Sequence, residues 1–221
     1  DTTISLQQGG SLIIPENRVD ATKPRILLQV PAPDVLAQVQ EIWRFIKKPA
    51  NIYLVVDVSG SMRGVRITAT KAALLSFVDQ AVGASDQIAL IAFSDDYKEI
   101  YHFGSIDESS FTIAVGALNT GGGTYLYDAM GYAYDQLSEL NDTERINVII
   151  AMTDGQSSGD ISIIESRLRS AGFPLLVYTV AYGDEAELDV LNRIARLGNG
   201  QAYPSDPGNI EKLFRLLAAF F

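Results

Sequence analysis

The sequence predicts a doubly wound α/β fold, a mostly parallel sheet with helices on both faces. Three observations lead there. Four long apolar runs rich in Val, Ile and Tyr recur from about residue 50 onward: "IYLVVDV" (52–58), "IALIAFS" (88–94), "INVIIAMT" (146–153) and "PLLVYTVAYG" (174–183). Runs that are apolar on consecutive residues suit central parallel strands covered on both faces. Segments of helical periodicity separate them, and strands alternating with helices give right-handed crossovers in a single sheet. The third observation is "YKEIYHF" (97–103), which alternates polar and apolar residues as a half-exposed edge strand does. It follows the turn signal "SDD", so it pairs as an antiparallel hairpin with the strand before it.

The helical segments can be taken in order. Residues 65–82 carry apolar side chains at helical spacing and stop at Gly83. Residues 125–140, 160–171, 185–198 and 207–221 read the same way. The first 49 residues differ: several prolines and short apolar bursts suggest an extended arm, followed by an amphipathic helix over 33–48 with Val35, Val39, Ile42, Trp43 and Ile46 on one stripe. "KKPA" breaks that helix just before the first core strand. The expected organisation is therefore an arm with a helix over 1–49, a linker or the remnant of a preceding domain, and one domain over 50–221.

Composition narrows the function classes. The chain has 221 residues, 47% hydrophobic and 20% charged, which is enough to bury a sizeable core. Its 17 basic and 27 acidic residues give a formal charge of −10, and no Lys/Arg-rich run is present, so nucleic acid and anionic lipid are poor partners. Cysteine is absent, which removes disulfides, thiolate metal sites and a cysteine nucleophile. No apolar run has membrane-spanning length. A start at Asp1, without a basic or apolar leader, reads as a trimmed chain or the mature part of a longer one.

The chemistry concentrates at strand ends. In a doubly wound sheet, ligands bind beyond the carboxyl ends of the strands, near the point where strand order reverses. "DVSGSM" sets Asp57, Ser59 and Ser61 at the end of the first core strand; "MTDG" sets Asp154 at the end of another; "NTGGGTYLYD" places Thr124 between a glycine loop and a helix. If the two strands are neighbours, two carboxylates and three hydroxyls converge. An all-oxygen set suits a hard cation such as Mg²⁺ or Mn²⁺, whereas Zn²⁺ prefers imidazole or thiolate. Two carboxylates do no more than neutralise such an ion, and Mg²⁺ normally keeps an exchangeable position, which a carboxylate from outside can take.

Other readings of these residues exist. "DVSGS" is also a strand-end turn in which Ser61 caps the next helix. "GGGT" is also a flexible turn or an anion-binding nest, but no Lys follows it as a P-loop requires. A Ser–His–Asp triad would have to use His102, the only histidine, on an edge strand with no nucleophile elbow nearby; a structural role suits it better. Asp128 is either a hydrogen-bonding support for the site or a favourable charge near a helix N-terminus. Asp95 and Asp96 read as an exposed hairpin turn. Arg63, Tyr125 and Tyr127 either rim the site or pack.

Taken together, Asp57-x-Ser59-x-Ser61, "GGGT" at Thr124 and "TDG" at Asp154 resemble the metal-ion-dependent adhesion site of von Willebrand factor type A domains, over roughly residues 50–221. The resemblance implies a six-stranded sheet with one antiparallel edge strand. It further implies that Asp57, Ser59, Ser61, Thr124 and Asp154 hold Mg²⁺, with Mn²⁺ or Ca²⁺ as substitutes, and that an Asp or Glu of a partner protein completes the shell. The expected activity is protein binding rather than catalysis, by a domain monomeric in isolation. By resemblance to integrin-type members, the last helix shifts when ligand binds. The arm and the ending "GNIEKLFRLLAAFF" also resemble bacterial envelope proteins in which such a domain follows a solute-binding-like module, which points outside the bacterial cell, the cytoplasm being the alternative. Two competing functions remain: a Mg²⁺-dependent phosphoryl hydrolase with Asp57 as nucleophile, and a structural domain with a vestigial site. Against the hydrolase, phosphatases of the haloacid-dehalogenase type carry a second Asp where this chain has Ser59.

Overall fold

The computed structural model describes Val35 and residues 48–81, 85–155, 157–183 and 186–218. Apart from Val35, these residues belong to one compact unit spanning Ile46–Phe221. The arm and most of the helix expected over 33–48 lie outside the described residues; Val35 itself is helical and 43% exposed.

Six strands form one sheet. They are β1 (Ala50–Asp57), β2 (Gln87–Phe93), β3 (Tyr97–Ser105), β4 (Ile146–Thr153), β5 (Leu175–Tyr182) and β6 (Ala202–Ser205), in the spatial order β3-β2-β1-β4-β5-β6. All neighbours are parallel except β2 and β3, which form the expected antiparallel hairpin. Six helices connect them: α1 (Val65–Ala81), α2 (Glu108–Gly116), α3 (Leu126–Leu140), α4 (Ser162–Arg169), α5 (Leu188–Leu197) and α6 (Ile210–Ala218).

Alternation along each strand explains the continuous apolar runs. Ile52, Leu54 and Val56 of β1 face one core, shared with Leu74 and Phe77 of α1 and with Phe214 of α6. Tyr53 and Val55 face the other, shared with Met130 and Leu137 of α3, Ile164 of α4 and Ile194 of α5. Both faces being covered, no position of β1 can be polar without a specific partner, and all eight of its residues are buried. On the first face α6 is anchored to α1 by the Phe77–Phe214 edge-to-face pair at 6.0 Å and by a 2.9 Å hydrogen bond from Ser76 Oγ to Glu211 Oε1.

Two elements were not read from the sequence. β6 is four residues long and contains Pro204, which an edge strand tolerates because one side of its backbone needs no ladder partner. In α2, the β-branched Thr112, Ile113 and Val115 mask helical character. Asp107 starts that helix by accepting a 2.7 Å hydrogen bond from the Ser110 N–H, and Phe111 and Val115 bury its inner face.

The topology also brings together the strand ends that carry the motif. From β1 the chain passes through α1 to β2 on one side, and it returns by way of α3 to β4 on the other. Strand order therefore reverses at β1 and β4, whose carboxyl ends lie side by side.

Candidate functional site

Asp57 is the last residue of β1, and Asp154 follows the last residue of β4. Both are fully buried, at 0% exposure. After Asp57 the chain turns through a short 3-10 segment, Gly60–Met62, whose Met62 is buried and pins the loop to the core. That turn brings Ser59 and Ser61 to the same side, where their hydroxyls share a hydrogen bond of 3.0 Å. The Ser61 hydroxyl donates to Asp154 Oδ1 at 2.7 Å, so it bridges the two strand ends instead of capping α1.

The carboxylates are held tightly. Asp57 Oδ1 accepts the Ser59 N–H at 2.7 Å, and Asp57 Oδ2 accepts the Thr153 hydroxyl at 2.6 Å. Asp154 Oδ2 accepts an N–H of Arg66 at 2.6 Å. Burial pushes the Asp57 carboxyl above its usual range; its hydrogen bonds with Ser59 and Thr153 oppose the shift, and the nearby charge of Asp154 adds to it.

Thr124 is brought in through its backbone. The glycine loop is tied to the Asp57 loop by hydrogen bonds from Gly60 N to Gly122 O, at 3.1 Å, and from Gly121 N to Val58 O, at 2.8 Å. On its other side the Thr124 carbonyl accepts the Ser158 N–H at 2.7 Å and the Ser157 hydroxyl at 3.1 Å, which links it to the segment following Asp154. The structure thus joins the loops that carry Asp57, Ser59, Ser61, Thr124 and Asp154 at one end of the sheet.

Several supporting residues escaped the sequence reading. Asp95, expected as an exposed turn residue, reaches the glycine loop and accepts the Gly123 N–H at 2.7 Å. It does so over Gly122, which has φ +80° and whose added Cβ would lie 2.4 Å from Asp95 Oδ2; only glycine serves there, for both conformation and space. Thr153 had a signal, being a polar residue at the end of an otherwise apolar run. Arg66 had one too, since a cation in the first turn of a helix is opposed by the helix dipole and invites a carboxylate partner. Tyr127 is buried and packs, whereas Tyr125, 39% exposed, and the exposed Arg63 stand open to solvent close to Thr124 and Ser61 in the chain. Asp128 is in the first turn of α3. The His102 side chain is 91% exposed, 3.7 Å from Glu99, so it is a surface residue and not a packed structural one.

A sequence model of the family described as von Willebrand factor type A domain matches residues 51–215. The chain belongs to this family. Members of the von Willebrand A family often mediate protein–protein interaction, and they commonly bind a divalent metal at the adhesion-site motif. Among curated relatives, an uncharacterised protein of Synechocystis is 26% identical over 211 residues, covering 94% of this chain and 49% of that protein. Inter-alpha-trypsin inhibitor heavy chain H4 of Sus scrofa is 32% identical over 124 residues, covering 52% of this chain and 13% of that protein. This von Willebrand A chain therefore spans half or less of the curated relatives it matches. Among solved structures, a von Willebrand factor type A protein from Catenulispora acidiphila superposes with a TM-score of 0.67 at 21% identity, over 78% of this chain and 42% of that one. The corresponding domain of the type V pili tip protein Mfa5 from Porphyromonas gingivalis gives 0.61 at 13% identity, over 79% and 95%. These likenesses bear out the six-stranded, mostly parallel fold.

The donor set of this von Willebrand A domain fits a hard divalent cation. Every polar side-chain atom facing the Asp57–Asp154 cluster from the motif is oxygen, and the carboxylates are shielded from water, where a fixed cation interacts strongly. Among the described residues no group of three His, Cys, Asp or Glu side chains gathers as ligands would, so a cation bound here would need hydroxyls among its ligands.

The raised Asp57 carboxyl predicts a trade between stability and function. When the folded value lies above the unfolded one, near 3.9, the folded state keeps its proton where the unfolded chain has lost it. Stability from this group is therefore present at acid pH and declines as pH rises from about 3.9 through the higher folded value. At neutral pH in chelator, Asp57→Asn should raise the melting temperature and flatten that decline, since the amide still accepts the Ser59 N–H and donates to the Thr153 oxygen. Thermal melts from about pH 4, near the unfolded value, up to neutral pH test it; a lower melting temperature at neutral pH would contradict it.

Proposed function

We propose that this chain is a divalent-metal-dependent protein-binding module. Asp57, Ser59, Ser61, Thr124 and Asp154 hold Mg²⁺, for which Mn²⁺ or Ca²⁺ can substitute, and the ion captures an Asp or Glu side chain of a partner protein. One observation carries the reading. Asp57 is fully buried, its partners are a backbone N–H and a neutral hydroxyl, and a second buried carboxylate stands beside it. Buried carboxylate charge is costly without a cation, and a divalent ion among these oxygens offsets it.

The ion supplies an electropositive point with room for an exchangeable ligand; the protein supplies its position. The Asp57 carboxylate is aimed by Ser59 and Thr153, the Ser61 hydroxyl by Asp154, and Thr124 by the double tie of its loop to Val58–Gly60 and Ser157–Ser158. Next to Ser61 and Thr124 in the chain, the exposed Arg63, Val65 (72% exposed) and Tyr125 would suit an acidic side chain flanked by apolar residues. The proposed boundaries are an arm with a helix over 1–49 and the binding domain over 50–221, acting as a monomer outside a bacterial cell. Solved relatives that include a pili tip protein and an aerotolerance-related membrane protein support that placement. Among the described residues no helix is long and apolar enough to cross a membrane.

The hydrolase reading has Asp57 attack phosphorus. Both oxygens of Asp57 accept hydrogen bonds that fix the carboxylate in one orientation, which supports a holding role over that of a nucleophile. Calorimetric titration of chelator-treated protein with Mg²⁺ and Mn²⁺ is the deciding experiment. The expected result is saturable binding of one ion per chain; heats no larger than dilution for either ion, both without and with acetate as a stand-in for the partner's carboxylate, would leave the vestigial-site reading in its place.

A further inference from the structure

Arg66 belongs to no part of the adhesion motif, yet it makes the shortest charged contact at the site. One N–H of its guanidinium lies 2.6 Å from Asp154 Oδ2 and 3.4 Å from the Ser61 carbonyl. Its backbone is fixed from below. The Arg66 carbonyl accepts the hydroxyls of Thr70, at 2.9 Å, and of Tyr182, at 3.2 Å, and Tyr182 is fully buried. The guanidinium runs past the end of β5, where a Cβ added at Gly183 would sit 3.4 Å from it. Its side chain is 31% exposed, so it is held in place but can still exchange its partner for water.

The charges at the site then have a simple sum. Asp57 and Asp154 contribute two negative charges and Arg66 one positive, which leaves one negative charge to meet a divalent ion. The loaded site retains one positive charge, where the two carboxylates alone would have neutralised it. Arg66 opposes the ion across a few ångströms and occupies one of the two oxygens of Asp154. An ion that takes this oxygen displaces Arg66 from Asp154, and the released guanidinium is then free to pair with an incoming carboxylate, so the two binding events are coupled through its change of partner.

We propose that Arg66 is a built-in counter-cation that weakens metal binding by the chain alone and so makes metal and partner carboxylate bind interdependently. The proposal rests on the metal-site reading above and adds the device that regulates it. Linkage makes the effect reciprocal: whatever factor the carboxylate adds to metal affinity, the metal adds to carboxylate affinity. Without Arg66 the ion would bind well by itself, and the partner's carboxylate would add less.

The test compares the chelator-treated wild-type chain with Arg66→Gln and Arg66→Lys. Mn²⁺ affinity is measured by calorimetry with and without acetate, as a minimal carboxylate, at constant ionic strength. Circular dichroism confirms that each chain is folded. Arg66→Gln should bind Mn²⁺ about tenfold more tightly without acetate, as removal of a like charge a few ångströms away implies, and should lose most of the acetate enhancement. Arg66→Lys, which keeps the charge, should stay within about twofold of wild type. A folded Arg66→Gln that binds Mn²⁺ no better than wild type would overturn the proposal and leave the metal site standing. Unsaturable binding by all three chains would remove the metal site and this proposal together.

Discussion

Asp154→Ala abolishes saturable metal binding, on the reading above, while leaving the fold intact. Asp154 is the junction of the site. One of its oxygens orients the Ser61 hydroxyl, the other holds Arg66, and its backbone position at the end of β4 places it against the end of β1. Removing it takes a buried negative charge away from the ion and frees the Ser61 hydroxyl to turn. It also leaves the Arg66 charge uncompensated. Losing a group that only orients a ligand costs 10–100-fold in affinity, so losing both a ligand and its orienting contacts should cost at least about 100-fold. The fold should tolerate the change. Ser61 is exposed and Arg66 is partly exposed, so both former partners can be hydrated, and the repulsion that Asp154 exerts on Asp57 disappears. The net change in stability is expected within about 1 kcal/mol. Calorimetry with Mn²⁺ and a thermal melt of the same sample measure both. A variant that melts normally and still binds Mn²⁺ as wild type does would remove Asp154 from the site.

The largest loss of stability is expected far from the site, from Gly200→Ala. Gly200 lies in the turn between α5 and β6, against the backbone of β5. A Cβ there would sit 2.0 Å from the carbonyl oxygen of Val177, 2.7 Å from its carbonyl carbon and 3.1 Å from its nitrogen. These are backbone atoms of a strand held on both sides, so no side-chain rotation relieves the clash. The turn cannot retreat cheaply either, because Val177 N donates to Gly198 O at 2.9 Å and Thr179 N to Gln201 O at 3.2 Å. Overpacking of this kind costs about 3 kcal/mol, which for a chain of this size lowers the melting temperature by roughly 6–12 °C. Gly200 is near the amino-terminal half of β5, whereas Asp57 and Asp154 lie at the carboxyl ends, so Mn²⁺ affinity of the folded protein should be unchanged. A melting temperature within about 2 °C of wild type would show that the turn relaxes more readily than its hydrogen bonds imply.

Much of the architecture was legible because burial on two faces leaves a strong trace. β1, β2, β4 and β5 appear as unbroken apolar runs, and α3 as a helical stripe whose observed bounds differ from the reading by one residue. β6 and α2 left no such trace. The first is a four-residue edge strand with a proline, and the second is a helix whose capping by Asp107 and packing through Phe111 outweigh three β-branched residues. At the site the motif residues announced themselves through oxygen side chains at strand ends. Those that hold them in place did not. Asp95 looked like a turn residue because its carboxylate serves a loop 28 residues away, and Arg66 looked like an ordinary helix residue because its partner lies 88 residues away.

Sequence alone therefore determined the doubly wound fold and the chemical character of the site, because strand burial and donor type are local properties of side chains. Only the tertiary structure decided that β1 and β4 are neighbours, that both carboxylates are sealed from water, and that an arginine neutralises one of them. Those are consequences of which strand ends meet, and long-range pairing fixes them through contacts that no short window of residues contains.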